Sequence, residues 1–289
     1  MNEYDITPIQ DVDGQLCKRD DLYTLFESNG VNGGKLRQCV MLLDKVNPKG
    51  VVTYCSIGSP QAPITAAVAK ARGIPCIVVY GGTTPKSLME AEMPRLVLHY
   101  GAKIVIGAKT GRHNVLHAAA KRIADEKGWF LVQYGINLKD YGDVLIETVA
   151  RQTANLPDCE NLVAVCGSGI TASGILVGLH MNRINVENVH LVATAPDRRE
   201  FINELTSHYG ATRGVIYHSL YHSDGFSYDK QVKEKIGGIL LHPNYEAKAY
   251  RWYRTSGIGE CVFWITGAKP SLNIIGLQRG VIRYRQEEI

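Results

Sequence analysis

Apolar residues along the chain come in two rhythms. Short runs such as VVTYC (51–55), IPCIVVY (74–80), AKIVIG (102–107) and WFLVQY (129–134) are apolar almost throughout. Between them lie longer stretches in which apolar residues return every three or four positions. The first rhythm is that of strands buried on both faces, and the second that of helices packing one stripe against them. QAPITAAVAKAR (61–72, closed by Gly73), residues 86–100 across Pro94, and residues 112–127 read as the intervening helices. The alternation resumes with a helix over 141–155, a strand NLVAVCG (161–167), a turn and helix SGITASGILVGLHM (168–181) and a strand VHLVATA (189–195). Helices over 226–236 and 244–255 and a strand ECVFWITG (260–267) complete the pattern. Strands alternating with helices make βαβ units and a parallel sheet. The chain is therefore predicted to be α/β, with two open, mostly parallel domains. The smaller lies within 48–140, and the larger combines 1–47 with 141–289. No repeat or low-complexity linker separates them.

Composition narrows the class. The 289 residues are 45% hydrophobic and 21% charged, ordinary for a globular chain with a sizeable core. No apolar run approaches the ~20 residues that span a bilayer, and the acidic opening MNEYDITPIQDVDG lacks the apolar stretch of a signal peptide. A cytoplasmic protein without a membrane partner is expected. The formal charge of +4 suits an anionic ligand but falls short of a dedicated nucleic-acid binder. Seven cysteines are scattered with no CxxC, so reduced, buried thiols are expected rather than disulfides or a zinc site. His113/His117 and His218/His222 are spaced i, i+4, which on a helix would put each pair on one face. No third ligand of suitable spacing accompanies either pair, and no metal is expected.

Two stretches carry candidate chemistry. VCGSGITASG (165–174) follows an apolar strand and opens a helix. Backbone N–H groups at a helix start bind anions, small residues let a phosphate approach, and Ser168, Thr171 and Ser173 add hydroxyls. One reading is a dinucleotide loop, from the spacing Gly167-x-Gly169-x-x-Ala172, with Glu187 or Asp197 as ribose acids. The other is a cup for a terminal phosphate monoester. The second stretch is VNGGKLRQ (31–38), where two glycines stand directly before Lys35. A lysine amine forms Schiff bases with carbonyls, and pyridoxal phosphate supplies both an aldehyde and a monoester phosphate. The turn in CSIGSPQAP (55–63) could present Ser59 and Gln61 to a carboxylate, and LHPNYEAKAY (241–250) places Tyr245 beside Glu246 at a helix start.

At this point the chain resembles the fold-type II pyridoxal-phosphate enzymes, and among them the aminocyclopropane-carboxylate deaminase/D-cysteine desulfhydrase branch. CKRDDL (17–22), NGGKLRQ (32–38), SIGSPQAPITAAVAKARGI (56–74), GSGITASG (167–174), HPNYEAKA (242–249) and FWITGAKP (263–270) occur in that family's order. The resemblance implies two α/β domains with the cofactor in the cleft between them, and a homodimer. It implies Lys35 as the Schiff-base lysine, freed as general acid/base when substrate binds. It implies Gly167, Ser168, Gly169, Ile170, Thr171 and Ala172 at the phosphate, Glu246 and Thr266 on the cofactor, Tyr245 beside the substrate, and Ser59 near the substrate carboxylate. The chain departs from the family pattern in having Pro60 where an asparagine is usual and Asn-Gly-Gly-Lys where Gly-Gly-Asn-Lys is usual. It is also shorter around 215–235, where the expected aromatic falls at Tyr221.

A lyase or deaminase acting on a small, free amino acid through a carbanion is the first functional expectation. The second is a decarboxylase or lyase acting on an amino acid attached to a larger anionic substrate such as phage DNA. Pro60 and the arginine/aromatic segments 251–254 and 283–285 favour it. A nicotinamide oxidoreductase using 167–172 and a cofactor-binding protein without turnover are the remaining alternatives.

Overall fold

The computed structural model describes residues 5–25, 30–136, 139–223, 225–226 and 230–270. They divide into two compact units, residues 5–23 with 139–269, and residues 24–136. The sequence reading groups Lys35 with the larger unit. In the structure its helix packs on the first helix of the 24–136 unit's βαβ series.

The larger unit is built on a six-stranded sheet. Its strands are β1 (Ile9–Val12), β2 (Gln15–Arg19), β7 (Cys159–Cys166), β8 (Val186–Ala193), β9 (Ile216–Ser219) and β12 (Cys261–Ile265), in the order β1-β2-β12-β7-β8-β9. Only the β1–β2 pair is antiparallel. That hairpin is absent from the sequence reading, yet it has a local signal. Asp13 and Gly14 take positive φ of 51° and 80°, as a two-residue hairpin turn requires. Helices α6 (Gly142–Ala150), α7 (Ile170–Met181), α8 (Arg199–Ser207) and α9 (Glu246–Thr255) belong to this unit. Residues alternate along β7. Leu162, Ala164 and Cys166 join Ile175 and Leu179 of α7 in one core, while Val163 and Val165 join Ala247 and Ala249 of α9 in another.

The smaller unit carries a parallel sheet in the order β5-β4-β3-β6, from β3 (Val51–Tyr54), β4 (Cys76–Gly81), β5 (Lys103–Ala108) and β6 (Phe130–Val132). Its helices are α1 (Gly34–Val46), α2 (Gln61–Ala71), α3 (Pro85–Glu90), α4 (Glu92–His99) and α5 (His113–Lys127).

Three local expectations are corrected. The helix expected over 86–100 is two helices, broken at Ala91, which is extended (φ −80°, ψ 140°). Pro94 lacks an N–H and is accommodated within the first turn of α4, where that donor would have no helical partner. The helix expected over 226–236 is not formed by the described residues there. Lys235–Ile236 (β10) instead pairs antiparallel with Ile239–Leu240 (β11) around Gly237, whose φ of 53° suits a turn. His218 lies on β9 and His222 in a turn, so that pair shares no helix face. Among the described residues no group of three metal-ligating side chains occurs, and no helix is long and apolar enough to cross a membrane. None of the cysteines is in a disulfide.

Helix α7 lies unusually close to α6. A Cβ on Gly178 would stand 2.5 Å from the Ala150 carbonyl oxygen, and one on Gly174 would meet Val149. Gly178→Val is therefore expected to lower stability by about 1–3 kcal/mol through overpacking. The same replacement at Gly214, which has nothing within 4 Å of the added carbon, should leave the urea midpoint almost unchanged.

Candidate active site

The glycine loop of the larger unit sits at the C-terminal end of β7, the end at which open parallel sheets bind ligands. Gly169 is the N-cap of α7, at φ 94°, and among the described residues no side chain caps that helix start. The first N–H groups of a helix have no helical partner, so those of Ile170, Thr171 and Ala172 point towards whatever occupies the loop. A Cβ on Gly169 would stand 2.9 Å from Phe201, so position 169 excludes any side chain by space as well as by φ. Tyr245 lies over the start of the loop, its ring 3.7 Å from where a Cβ on Gly167 would be. Glu246, 4% exposed, is the first residue of α9. His242 is also buried. Its Nδ1 accepts the Asn244 N–H at 3.3 Å, and its ring tilts against Tyr245 with centroids 4.9 Å apart.

Three hydroxyls around this loop, those of Ser173, Thr194 and Thr266, are buried with no hydrogen-bond partner among the described residues. Thr194 follows β8, and its N–H donates to the Cys166 carbonyl at 3.1 Å. Thr266 follows β12, whose Trp264 is level with Ala164 of β7. Both threonines thus stand at strand ends flanking Gly167. A buried hydroxyl without a partner costs about 1–3 kcal/mol, and three beside one uncapped helix start mark a place for an acceptor-rich group. The sequence reading includes Thr266 and Ser173 but misses Thr194. Its only signal is a hydroxyl one residue past a strand, which becomes informative once strand order is known.

In the smaller unit, Gly33 (φ 92°) caps α1 and Lys35 is the helix's second residue. A positive φ next to a helix start is what the glycine pair provides. The Lys35 Nζ lies 3.5 Å from the Gly135 carbonyl oxygen. Its charge is also felt at Cys55, a thiol that burial pushes up to about 12 while the Ser59 hydroxyl, the Ala62 N–H and Lys35 draw it down.

The turn between β3 and α2 engages the donors around Pro60 within the protein. The Ser59 N–H donates to the Ser56 carbonyl at 3.0 Å, and Pro60 has no N–H. The Gln61 N–H reaches the Ser59 Oγ at 3.3 Å. The Gln61 side chain, expected to face a carboxylate, is structural instead. Its Nε2 donates to Thr53 Oγ1 at 3.0 Å and to the Gln133 carbonyl at 2.8 Å, while its Oε1 accepts the Gly135 N–H at 2.6 Å.

The residues expected of a dinucleotide site do not assemble. Glu187 is on the N-terminal end of β8, away from the loop, and the exposed Asp197 carboxylate is held by Arg199, which lowers its pKa. Tyr221 stacks edge-on with His222 at 4.5 Å. Arg251 pairs with Glu234 at 2.7 Å, and segment 283–285 lies outside the described residues.

Comparison with known proteins decides the class. The family model described as pyridoxal-phosphate dependent enzyme matches residues 6–225. The chain belongs to this family. It is a pyridoxal-phosphate-dependent enzyme of the fold-type II group, and its cofactor is pyridoxal phosphate. It is 25% identical to the O-seryl-dTMP PLP-dependent decarboxylase of Salmonella phage ViI, over 88% of this chain and 78% of that one. Among solved structures, an ACC deaminase homologue matches with a TM-score of 0.71 and 20% identity, over 92% of this chain and 90% of that one. Maize serine racemase matches at 0.61 and 16%, over 93% and 90%.

The residues present fit the cofactor. The uncapped start of α7 and the three partnerless hydroxyls suit a phosphate and polar ring atoms, and the buried Glu246 carboxylate suits a pyridine nitrogen. If the hydroxyls await the cofactor, Thr194→Val and Thr266→Val should each weaken pyridoxal phosphate binding by about 1–3 kcal/mol. The cofactor-free protein should be no less stable, because a partnerless polar group has been removed. Equilibrium dialysis and thermal melts of both forms check this. Gly169→Val should reduce cofactor binding more severely than either.

Proposed function

We propose that this enzyme is a decarboxylase acting on an α-amino acid group attached to a nucleotide. Pyridoxal phosphate, when bound, supplies the electron sink that takes up the pair left on the substrate's α-carbon. The chain's own residues are assigned the rest. Lys35 carries the cofactor and afterwards returns a proton to the α-carbon, the loop 167–172 with Thr194 and Thr266 takes the phosphate, and Glu246 faces the ring nitrogen. Tyr245 borders the substrate.

The observation that carries the reading is the β3–α2 turn. An enzyme that keeps the substrate carboxylate gains by clamping it with N–H donors. Here the Ser59 and Gln61 N–H groups, the Ser59 hydroxyl and the Gln61 amide are engaged within the protein, and Pro60 removes a further donor. Each charge-assisted hydrogen bond to a carboxylate is worth about 1.5–3 kcal/mol. That stabilisation is lost when the group leaves as neutral carbon dioxide, so withholding it favours the bond-breaking step. The match to a decarboxylase over most of the chain supports the same reading, and that relative's printed substrate is an O-seryl nucleotide. A second reading, a lyase or deaminase of a small free amino acid, is favoured by the likeness to the ACC deaminase homologue.

The cofactor-loaded protein, incubated with an O-seryl pyrimidine nucleotide and separately with D- and L-amino acids, distinguishes the two. Release of carbon dioxide and formation of the amine from the nucleotide are expected. Ammonia and a 2-oxo acid from free amino acids, with no carbon dioxide, would establish the second reading instead. Borohydride should fix the cofactor to the peptide containing Lys35. Lys35→Ala should lower turnover on the order of 10²–10⁴-fold, the range for losing a general acid/base.

A further inference from the structure

A cluster in the smaller unit, used by nothing above, adjoins the residue whose carbonyl faces Lys35. The Gly135 carbonyl faces the Lys35 amine, and Tyr134 precedes it. The Tyr134 ring meets that of His113, the first residue of α5, with centroids 4.1 Å apart and planes tilted 53°. Tyr134 is half-buried and His113 exposed. One turn along α5, the Tyr54 hydroxyl lies 3.0 Å from the His117 Nδ1, and the two rings pack edge-on. The Tyr134 backbone hydrogen-bonds the same hydroxyl, so Tyr54 ties α5 to the segment that carries Tyr134. This ring pair stands at the C-terminal end of β6, where ligands of parallel sheets bind. The stretch leading into α5 is basic, while Lys121 further along the helix is paired with Asp125. Residues 109–122 include Lys109, Arg112, Lys121 and Arg122 and no Asp or Glu, and Lys109 and Arg112 are exposed.

Histidine and tyrosine rings at a sheet's ligand end, next along the chain to the carbonyl that faces Lys35 and edged by Lys109 and Arg112, have a specific use. Aromatic faces take a base by stacking, and neighbouring cations take its phosphate. We infer that Tyr134 and His113 form a platform for the pyrimidine base of the substrate, with Arg112 and Lys109 taking the phosphate attached to it. The inference rests on the proposed nucleotide-linked substrate and assigns residues to the half of it that the cofactor machinery does not touch. Tyr134 sets the base beside the lysine, because its own peptide continues into the carbonyl that faces the amine. Tyr54 and His117 are positioning residues for the platform.

Binding is the test, because it does not depend on turnover. Cofactor-loaded protein is titrated with a labelled thymidine oligonucleotide and with dTMP at two salt concentrations. His113→Ala and Tyr134→Leu should each weaken binding on the order of ten-fold, as expected for losing a stacked base. Arg112→Ala should also reduce the salt slope of oligonucleotide binding by about one. Because Tyr134 lies beside Gly135, retention of bound cofactor is checked by its visible absorbance in each variant; the exposed His113 serves as the second variant should Tyr134→Leu misfold. Tighter binding of the oligonucleotide than of dTMP identifies a DNA strand as the source of the base, and equal affinities identify a free nucleotide; either, together with the loss in the His113 and Tyr134 variants, supports the platform. If the parent binds nucleotides and all the variants bind as it does, the platform is overturned while the nucleotide substrate stands. If the parent binds neither ligand at low salt, the nucleotide-linked substrate itself falls, and the platform with it.

Discussion

One side-chain amide, that of Gln61, holds together the part of the smaller unit on which Lys35 depends. Its four hydrogen-bonding positions are nearly used up on the chain's own backbone and Thr53. It joins the start of α2 to the segment after β6 and so fixes where the Gly135 carbonyl stands. That carbonyl faces the lysine, and the residue before it carries the aromatic platform. A buried amide with satisfied partners is strongly directional, since any shift strands a polar group at a cost of about 1–3 kcal/mol. The turn is therefore rigid for structural reasons, and the Gln61 amide is withheld from a ligand.

The larger unit has a different anchor. The near-contact of α7 with α6 through Gly174 and Gly178 sets the depth at which α7 lies on the sheet. The helix then starts at Gly169 with its free amides directed past the end of β7. Trp264 and Asp20 add a buried hydrogen bond of 3.0 Å, with Thr7 bonded to the other carboxylate oxygen at 2.7 Å. These hold β2 to β12 and so hold Thr266 in line.

Much of this was legible in the chain itself. Uniformly apolar runs gave the parallel strands, because both faces of such strands are covered. The glycine loop and the Asn-Gly-Gly-Lys stretch stood out because their backbone demands are local. What escaped was set by pairing at a distance. Lys235–Ile236 looks helical in isolation and is extended because Ile239–Leu240 lies opposite. Gln61 looked like a ligand residue because a polar side chain at a helix start is ambiguous until its partners 72 and 74 residues away are in place. Thr194 becomes a candidate only when β8 is laid beside β7.

The Cys55 thiol, which feels the charge of Lys35, has a bearing on chemical selectivity. Aldehydes react with thiolates as well as with amines, so a nucleophilic sulfur within the lysine's field would compete for the carbonyl. Burial prevents that. With its pKa pushed to about 12, Cys55 stays protonated across the working range, and a neutral thiol is a poor nucleophile. The nearby positive charge of Lys35 works against this, and burial outweighs it. The packing around β3 thus acts as a protecting group in the synthetic chemist's sense, masking one nucleophile so that its neighbour reacts alone.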